Sequence, residues 1–261
     1  MAHHSNWLDH VPQNIRQLLF AYYMPEWQMS DAECCALITL LAQTSPECAI
    51  EIGTAQGGSL SVLARFAKKV YSLDVNPNCR EQLGHYFSNV EFITGKSQKT
   101  LPLLLEQVQA EKLGLGFVLI DGDHSRRSVK QDIENLLVYR PSQLLCVVLH
   151  DSFNPECRQS VVEADWARSP YVQFVELDFV TGTLLSQPER YREMWVGLAV
   201  ALLLPWERRG ELKIQASQGL LFQTVLQHTS IHQRLDHDVL VSQLSRLSGV
   251  VRQLRSRFER G

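Results

Sequence analysis

The sequence lacks the features that mark several large classes of protein. Its net charge is −3 over 261 residues, so it offers no electrostatic basis for binding nucleic acid or an acidic membrane. No stretch of about 20 residues is apolar enough to cross a membrane, and the longest apolar run, at residues 195–206, contains Pro205. The start of the chain has no basic segment followed by an apolar run. We therefore expect no signal peptide and a cytoplasmic location.

Cysteine is present but not in the spacing of metal ligands. Several of the cysteines lie in apolar runs, which is typical of reduced core residues in a cytosolic protein. They are Cys34, Cys35, Cys48, Cys79, Cys146 and Cys157.

Residues 49–59 contain neither the dinucleotide glycine motif nor the P-loop motif. They read AIEIGTAQGGS, which predicts a buried strand, a turn with Gly53 and Gly57, and a helix beginning near Ser59. Glycine lets a ligand approach the backbone, and a helix start offers unpaired N–H groups. Glu51 would repel a polyphosphate, so the stretch predicts a site for a cofactor with hydroxyl, amine or cationic groups. An ordinary glycine turn is the alternative.

Apolar runs and helical stretches alternate along the rest of the chain. This order predicts an α/β fold with a mostly parallel, doubly wound sheet of right-handed β-α-β units. The predicted strands are 48–52, 69–74, 90–94, 116–120, 144–149, 172–179 and one within 194–204. The predicted helices are 31–43, 60–67, 79–87, 100–111, 128–138, 157–166 and 219–227, the first opened by a capping box at Ser30–Glu33.

Polar residues follow the ends of five different predicted strands. They are Gly53, Asp74, Ser97, Asp121 and the pair His150-Asp151. Because ligands bind at the carboxyl ends of strands in such sheets, we expect these residues to line one rim. Asp74 is placed to accept hydrogen bonds from a ribose, and Ser97 to meet an adenine edge. A solvated strand-end acid is the alternative for Asp74.

The two ends of the chain differ from its centre. Residues 1–29 form an N-terminal helical arm, either packed or acting as a lid, and residues 30–204 form the cofactor-binding domain. Residues 205–261 form a helical extension. Apolar residues spaced by three and four at 240–258 continue for about two and a half heptads, so they favour a dimerisation helix or a helix folded back on its own domain.

Two stretches of the sequence, together with Asp74, resemble a known family of enzymes. The stretch from Glu51 to Ser59, Asp74 and the run VLIDGDHS at 118–125 look like class I S-adenosylmethionine-dependent methyltransferases. The IDGDHS run, the following VKQDI and the VLHD ending at Asp151 resemble one branch. It contains metal-dependent O-methyltransferases of the macrolide-sugar and aminocoumarin type and the cephalosporin hydroxylase group.

The resemblance implies a Rossmann-like seven-stranded sheet whose last strand is antiparallel. It implies S-adenosylmethionine as cofactor, with its methionine end at the glycine turn, its ribose at Asp74 and its adenine at Ser97. The cofactor-binding residues so implied are Glu51, Gly53, Thr54, Gly57, Ser59, Asp74, Ser97 and Asp121. The implied metal ligands are Asp121, His150 and Asp151, and the implied base is Asp123 or His124.

The resemblance implies transfer of a methyl group to a hydroxyl of a sugar or secondary metabolite, assisted by a divalent metal, with Mg²⁺ expected. His150 departs from the branch, because imidazole is not a preferred Mg²⁺ ligand. Three readings therefore stay open: Mg²⁺ on the two carboxylates with His150 behind them, a softer metal, or no metal with His150 as base.

Other functions remain as alternatives. One is a catalytically inactive assembly protein that uses its C-terminal helix, and another is an NAD-dependent oxidoreductase. A metal-dependent hydroxylase is disfavoured, because Asp121, His150 and Asp151 supply one imidazole rather than two. We also expect a small-molecule partner and a homo-oligomer formed through the C-terminal helix.

Overall fold

The structure is a computed structural model that describes residues 28–229. Its centre is an eight-stranded sheet with the order β10-β6-β9-β5-β4-β1-β2-β3. The strands are β1 Cys48–Ile52, β2 Lys69–Asp74, β3 Val90–Thr94, β4 Leu115–Ile120, β5 Leu145–His150, β6 Val172–Val180, β9 Leu198–Leu203 and β10 Lys213–Gln215. A separate hairpin pairs β7 Thr183–Leu184 with β8 Met194–Trp195.

Helices cover both faces of the sheet. They are α1 Asp31–Thr44, α2 Gly58–Phe66, α3 Cys79–Leu83, α4 Ser97–Ala110, α5 Arg126–Leu136, α6 Pro155–Glu163 and α7 Gly219–Gln227. The first three contribute to one hydrophobic core and α4–α6 to the other. Because neighbouring side chains of a strand point to opposite faces, β1 sends Ile50 into one core and Ala49 into the other.

All seven predicted strands are present, and the last of them is antiparallel to both neighbours as predicted. β9 lies between β5 and β6 and runs opposite to each. The strands β1, β4 and β5 are buried along their whole length, which explains why their sequences are apolar except for Glu51 in β1 and His150 at the end of β5.

The eighth strand, β10, was not predicted. It pairs in parallel with β6 at the edge of the sheet, and all three of its residues are exposed. Its sequence, Lys-Ile-Gln, is too short and polar to show the alternation of a half-buried strand. The interpretation of everything after residue 204 as a helical extension was therefore wrong for this segment.

Helix α4 begins at Ser97, three residues before the predicted start, so Pro102 lies in its second turn rather than its first. A proline there cannot donate to the carbonyl of Gln98 four residues earlier. The side-chain amide of Asn135 on α5 donates to that carbonyl instead, at 3.2 Å. The neighbouring helix thus satisfies the group that the proline leaves unpaired.

A buried ion pair joins α6 to β6 and reaches α7. The guanidinium of Arg158 makes two hydrogen bonds to the carboxylate of Asp178, at 2.6 and 3.2 Å. That carboxylate also accepts from the backbone N–H of Gln218, just before α7. Phe222 of α7 stacks on the guanidinium and packs edge-on against Phe153.

Two of the predicted regions lie outside the described residues. These are the arm at 1–27 with its proposed lid, and the stripe at 240–258 with its proposed dimerisation role. Within residues 28–229, α7 has the predicted bounds, and no helix is long and apolar enough to cross a membrane. The six cysteines are free, and five of them are buried, as expected of core residues.

Candidate active site

The predicted rim lines a single cavity of about 1010 Å³ at the carboxyl ends of the strands. Eight of the residues predicted for the site are among its walls. They are Gly53, Asp74, Ser97, Asp121, Asp123, His124, His150 and Asp151. These residues are far apart in the sequence, and they lie together because the carboxyl ends of the parallel strands meet at one edge of the sheet.

Gly53 is fixed by the close approach of two strand ends. Its φ is +91°, and a Cβ at this position would lie 2.0 Å from the carbonyl oxygen of Asp121. Its N–H donates to Leu73 on β2, and the N–H of Asp121 donates to the Ile52 carbonyl. The turn is therefore tied to β2 and β4 at once, and no side chain fits at its first residue.

Asp74 holds the same turn from the end of β2. Its Oδ2 accepts hydrogen bonds from the backbone N–H groups of Thr54 and Ala55, at 2.8 and 3.1 Å, and its Oδ1 accepts from Asn76. The side chain is partly exposed to the cavity. It therefore shapes the backbone of the turn while presenting its carboxylate beside it.

Glu51 lies beneath the turn and is fully buried. Its carboxylate accepts hydrogen bonds from the hydroxyls of Ser59 and Ser72, at 2.6 and 3.1 Å. Burial raises the pKa of Glu51 to about 8. Thr54 and Gly57 of the turn and Ser59 of α2 are buried as well, and none of these three predicted cofactor contacts is among the residues that line the cavity.

Ser97 opens α4 at the opposite side of the cavity. Its hydroxyl donates to Asp132 at 2.9 Å, and the amide of Gln98 donates to the same carboxylate at 3.2 Å. Burial raises the pKa of Asp132 to about 6. Asp132, which sequence reasoning assigned no role, thus holds two residues of the cavity wall.

Asp121, His150 and Asp151 converge as predicted. The Nδ1 of His150 lies 2.8 Å from Asp121 Oδ1 and 3.4 Å from Asp151 Oδ2. Burial opposes charge on each of the three groups. The neighbouring carboxylates nevertheless raise the pKa of His150 well above its usual value, and the imidazoles lower the pKa of Asp121 and Asp151.

Asp151 adopts a left-handed backbone conformation, with φ +55°. Its Oδ1 accepts from the backbone N–H of Val196 at 2.7 Å, and Val196 itself has φ +60°. Positive φ is rare for a β-branched residue and costs on the order of 1–3 kcal/mol. The contact aims the other carboxylate oxygen of Asp151 at the two imidazoles.

His124, which the sequence analysis named only as a candidate base, also lies among these potential metal ligands. Its Nε2 lies 2.9 Å from Asp151 Oδ2 and 3.7 Å from Asp121 Oδ1, and its ring packs edge-on against Trp195. Hydrogen bonds to Asp121 and Asp151 raise the pKa of His124 to about 9. We call Asp121, His124, His150 and Asp151 the four-residue cluster. One potential ligand atom from each lies within 4.8 Å of the others.

Asp123 faces the cavity but is engaged locally. Its Oδ2 accepts from the Ser128 hydroxyl at 2.7 Å, and its Oδ1 accepts from the backbone N–H of Ser125 at 3.0 Å. These hydrogen bonds lower the pKa of Asp123. The side chain therefore steadies the start of α5 and is a weaker proton acceptor than a free carboxylate.

Glu33 is the acidic neighbour of the cluster that sequence reasoning missed. It was interpreted only as part of the capping box of α1, and that box is present. Its side chain is fully buried, and its Oε1 lies 3.2 Å from Nε2 of His150. The signal was available, because Glu33, Leu37 and Leu41 follow at intervals of four on the buried face of the helix.

The far wall of the cavity comes from the hairpin β7–β8 and the residues around it. It combines one aromatic ring and apolar side chains with charges of both signs. Its members are Leu185, Gln187, Glu189, Arg190, Trp195 and Val196. The four-residue cluster lies between this wall and the glycine turn.

Comparison with known proteins assigns the central part of the chain. Residues 50–152 match a family model described as a methyltransferase domain. This segment is a methyltransferase domain. It contains the glycine turn, Asp74, Ser97 and the whole four-residue cluster, so the methyltransferase domain carries the site. No curated protein matches the sequence.

Two solved structures are similar to this chain. The O-methyltransferase from Bacillus cereus in complex with SAH matches with a TM-score of 0.50 at 18% identity, over 74% of this chain and 89% of that one. The O-methyltransferase TomG from Streptomyces achromogenes, involved in tomaymycin synthesis and solved with SAM, matches at 0.48 and 16% identity, over 74% and 88%. At this identity the first likeness concerns the fold alone, and the second adds nothing to it.

The domain and the sheet order together confirm the class predicted from sequence: a class I S-adenosylmethionine-dependent methyltransferase. The methyl acceptor, the metal and the role of each site residue go beyond this class. They depend on the geometry of the site.

Proposed function

We propose that this methyltransferase transfers the methyl group of S-adenosylmethionine to a hydroxyl of a small molecule, a sugar or secondary metabolite, with assistance from a divalent metal. The main support for this proposal is the position of the four-residue cluster between the glycine turn and the far wall of the cavity. The cofactor occupies the half with Gly53, Asp74 and Ser97. The acceptor occupies the half with Trp195, and the two meet at the cluster.

The acceptor half suits a small molecule. The cavity of about 1010 Å³ is at the upper end of the range for small-molecule pockets, so it has room for cofactor and acceptor together. The far wall, formed around the hairpin β7–β8, contains both the acid Glu189 and the base Arg190, so it is not a basic surface. A nucleic acid would call for a surplus of positive charge, which this wall does not have.

The donor chemistry of the cluster fits a divalent cation. Asp121, His150 and Asp151 would hold it through two carboxylates and one imidazole, and both carboxylates keep a low pKa. When bound, such a metal supplies Lewis-acid chemistry that lowers the pKa of an acceptor hydroxyl. The imidazole favours Mn²⁺ or a softer ion over the Mg²⁺ first expected, so both Mg²⁺ and Mn²⁺ are needed as probes.

His124 is the proposed proton acceptor. It is the most exposed member of the cluster and lines the cavity beside Trp195. With both carboxylates facing it, His124 retains its proton at neutral pH, because its pKa is about 9. A metal held by Asp121 and Asp151 would compete with His124 for these two carboxylates, and this would lower the pKa of His124. His124 can then accept the hydroxyl proton.

A fourth-ligand role is the alternative for His124, since its Nε2 also lies among the potential donors. That arrangement gives two imidazoles, so the cluster would then supply the number of histidines found in a metal-dependent hydroxylase. The variant His124→Gln separates the two roles. Loss of methyl transfer with unchanged Mn²⁺ affinity supports the base, whereas loss of both supports the ligand.

Isothermal titration of the full chain tests the proposal as a whole. S-adenosylhomocysteine should bind, and Mn²⁺ or Mg²⁺ should bind independently with a stoichiometry of one. Asp121→Asn should abolish metal binding and methyl transfer to a panel of hydroxyl compounds while largely sparing S-adenosylhomocysteine. Asp165→Asn, on an exposed acid outside the site, is the matched control. Absence of S-adenosylhomocysteine binding at high micromolar concentration would sink the proposal.

A further inference from the structure

Glu33 and His150 form an isolated buried contact behind the four-residue cluster. Glu33 Oε1 and His150 Nε2 lie 3.2 Å apart, and the side chains are 0% and 6% exposed. Their alignment falls short of hydrogen-bond geometry, yet neither atom has a hydrogen-bond partner elsewhere among residues 28–229. Burying two polar atoms without a partner is costly, so the contact requires an explanation.

The other oxygen of Glu33 is already committed. Oε2 accepts from the backbone N–H of Ser30 at 2.7 Å and from its hydroxyl at 2.8 Å. The start of α1 therefore fixes the orientation of the carboxylate and leaves Oε1 pointing at the imidazole. An ionised carboxylate can accept hydrogen bonds but cannot donate them, so this arrangement favours a proton on Nε2 of His150.

The opposite ring nitrogen faces the site. His150 Nδ1 lies 2.8 Å from Asp121 and 3.4 Å from Asp151. A histidine that binds a metal through one nitrogen commonly donates its other N–H to a carboxylate, which fixes both tautomer and ring orientation. Here Glu33 is the carboxylate on one side of His150, and the proposed metal ligands Asp121 and Asp151 lie on the other side.

We propose that Glu33 is a positioning residue that holds the proton of His150 on Nε2 and so directs the Nδ1 lone pair toward the metal ligands Asp121 and Asp151. The capping box of α1 thereby has a second role, because it anchors the carboxylate that orients a ligand at the end of β5. This inference rests on the proposed metal site, although the position of the proton can be measured without a metal.

Glu33→Gln is the decisive substitution, because it should move the proton of His150 from Nε2 to Nδ1. The backbone N–H of Ser30 can only donate, so it retains the amide oxygen of the glutamine, and the amide NH₂ is turned toward His150. Nε2 must then accept, which moves the proton to Nδ1 and removes the lone pair from the site. The helix cap survives, so a general loss of structure is not expected.

Ser30→Ala is the matched control. It removes the hydroxyl that bonds Glu33 and caps α1, but it leaves the backbone N–H of Ser30 and the contact to His150 in place. It should lower the free energy of unfolding without changing metal affinity. Glu33→Gln should weaken metal binding and leave the free energy of unfolding largely unchanged. A purely structural role for Glu33 cannot produce these two contrasting results.

The experiment combines Mn²⁺ titration of the full chain with ¹⁵N-histidine NMR of the metal-free protein, where His150→Asn assigns the resonances. The spectra are recorded at a pH above the raised pKa of His150, so that its ring is neutral and carries one proton. We expect Nε2 of His150 to carry a proton in the unmodified protein and in Ser30→Ala, but not in Glu33→Gln. We expect Mn²⁺ to bind Glu33→Gln roughly 10- to 100-fold more weakly.

Equal Mn²⁺ affinity in the unmodified protein and Glu33→Gln overturns the inference but not the proposed function. If no metal binds the unmodified protein, the metal part of the proposed function fails. The NMR comparison then decides the role of Glu33 by itself. An unprotonated Nε2 in the unmodified protein overturns the inference directly, even if Glu33→Gln does not fold.

Discussion

The carbonyl oxygen of Asp121 occupies the space that a side chain on Gly53 would need. A Cβ there would lie 2.0 Å from that oxygen, and Gly53 has φ +91°. We therefore predict that Gly53→Ala lowers the free energy of unfolding by about 3 kcal/mol or more, because it combines a left-handed backbone with a clash. It should also abolish binding of S-adenosylhomocysteine. Urea denaturation and isothermal titration measure the two effects.

Gly210 separates the two causes. It has φ +95°, but a Cβ there would meet nothing within 4 Å. Gly210→Ala should therefore cost only the backbone term, about 1–2 kcal/mol, with cofactor binding unchanged. Equal losses of stability for the two variants would show that the Asp121 carbonyl moves aside at little cost.

The sequence identified the rim of the site because parallel strands place their carboxyl ends side by side. Gly53, Asp74 and Asp121 were grouped from strand order alone. It could not show that His124 turns back toward Asp151 across the end of β5, since that depends on loop conformation. It could not show that Asp132 holds Ser97 either, because a single acid on an amphipathic helix carries no sign of its tertiary partner.

Glu51 should make stability depend on pH in a defined window. Its pKa is about 8 in the folded chain and 4.5 as the ordinary value, because burial disfavours the charged form. A raised acid pKa stabilises the fold fully below pH 4.5, and this contribution is lost as pH rises through 8. Glu51→Gln has no charge to bury, so its stability should exceed that of the unmodified protein increasingly from pH 5 to 8, by an amount on the order of a few kcal/mol.

Chemical denaturation at several pH values, without cofactor, measures this difference. Glu106→Gln, at an exposed position of α4, should give a flat difference over the same range. A flat difference for Glu51→Gln as well would mean that Glu51 is ionised at little cost. It would contradict the effect of burial on this carboxyl group.

Asn135 and Pro102 should be energetically coupled although they do not need to touch. The Asn135 amide bonds the Gln98 carbonyl that Pro102 leaves without a helical donor. Asn135→Ala should therefore cost about 1 kcal/mol in the unmodified chain and much less in a Pro102→Ala background, where the helix supplies its own N–H. A double-mutant cycle by urea denaturation measures the coupling, and strictly additive losses would contradict the compensation.

The buried pair of Arg158 and Asp178 should be costly to break and inexpensive to replace. Asp178→Asn leaves the guanidinium of Arg158 buried without a counter-charge, so we predict a loss of about 3–5 kcal/mol in the free energy of unfolding. Replacing both residues, as Arg158→Met with Asp178→Leu, removes the unpaired charge and should recover most of that loss. Recovery should stay incomplete, because the N–H of Gln218 loses its acceptor. A double variant as unstable as Asp178→Asn would show that Asp178 acts chiefly by docking α7 through Gln218.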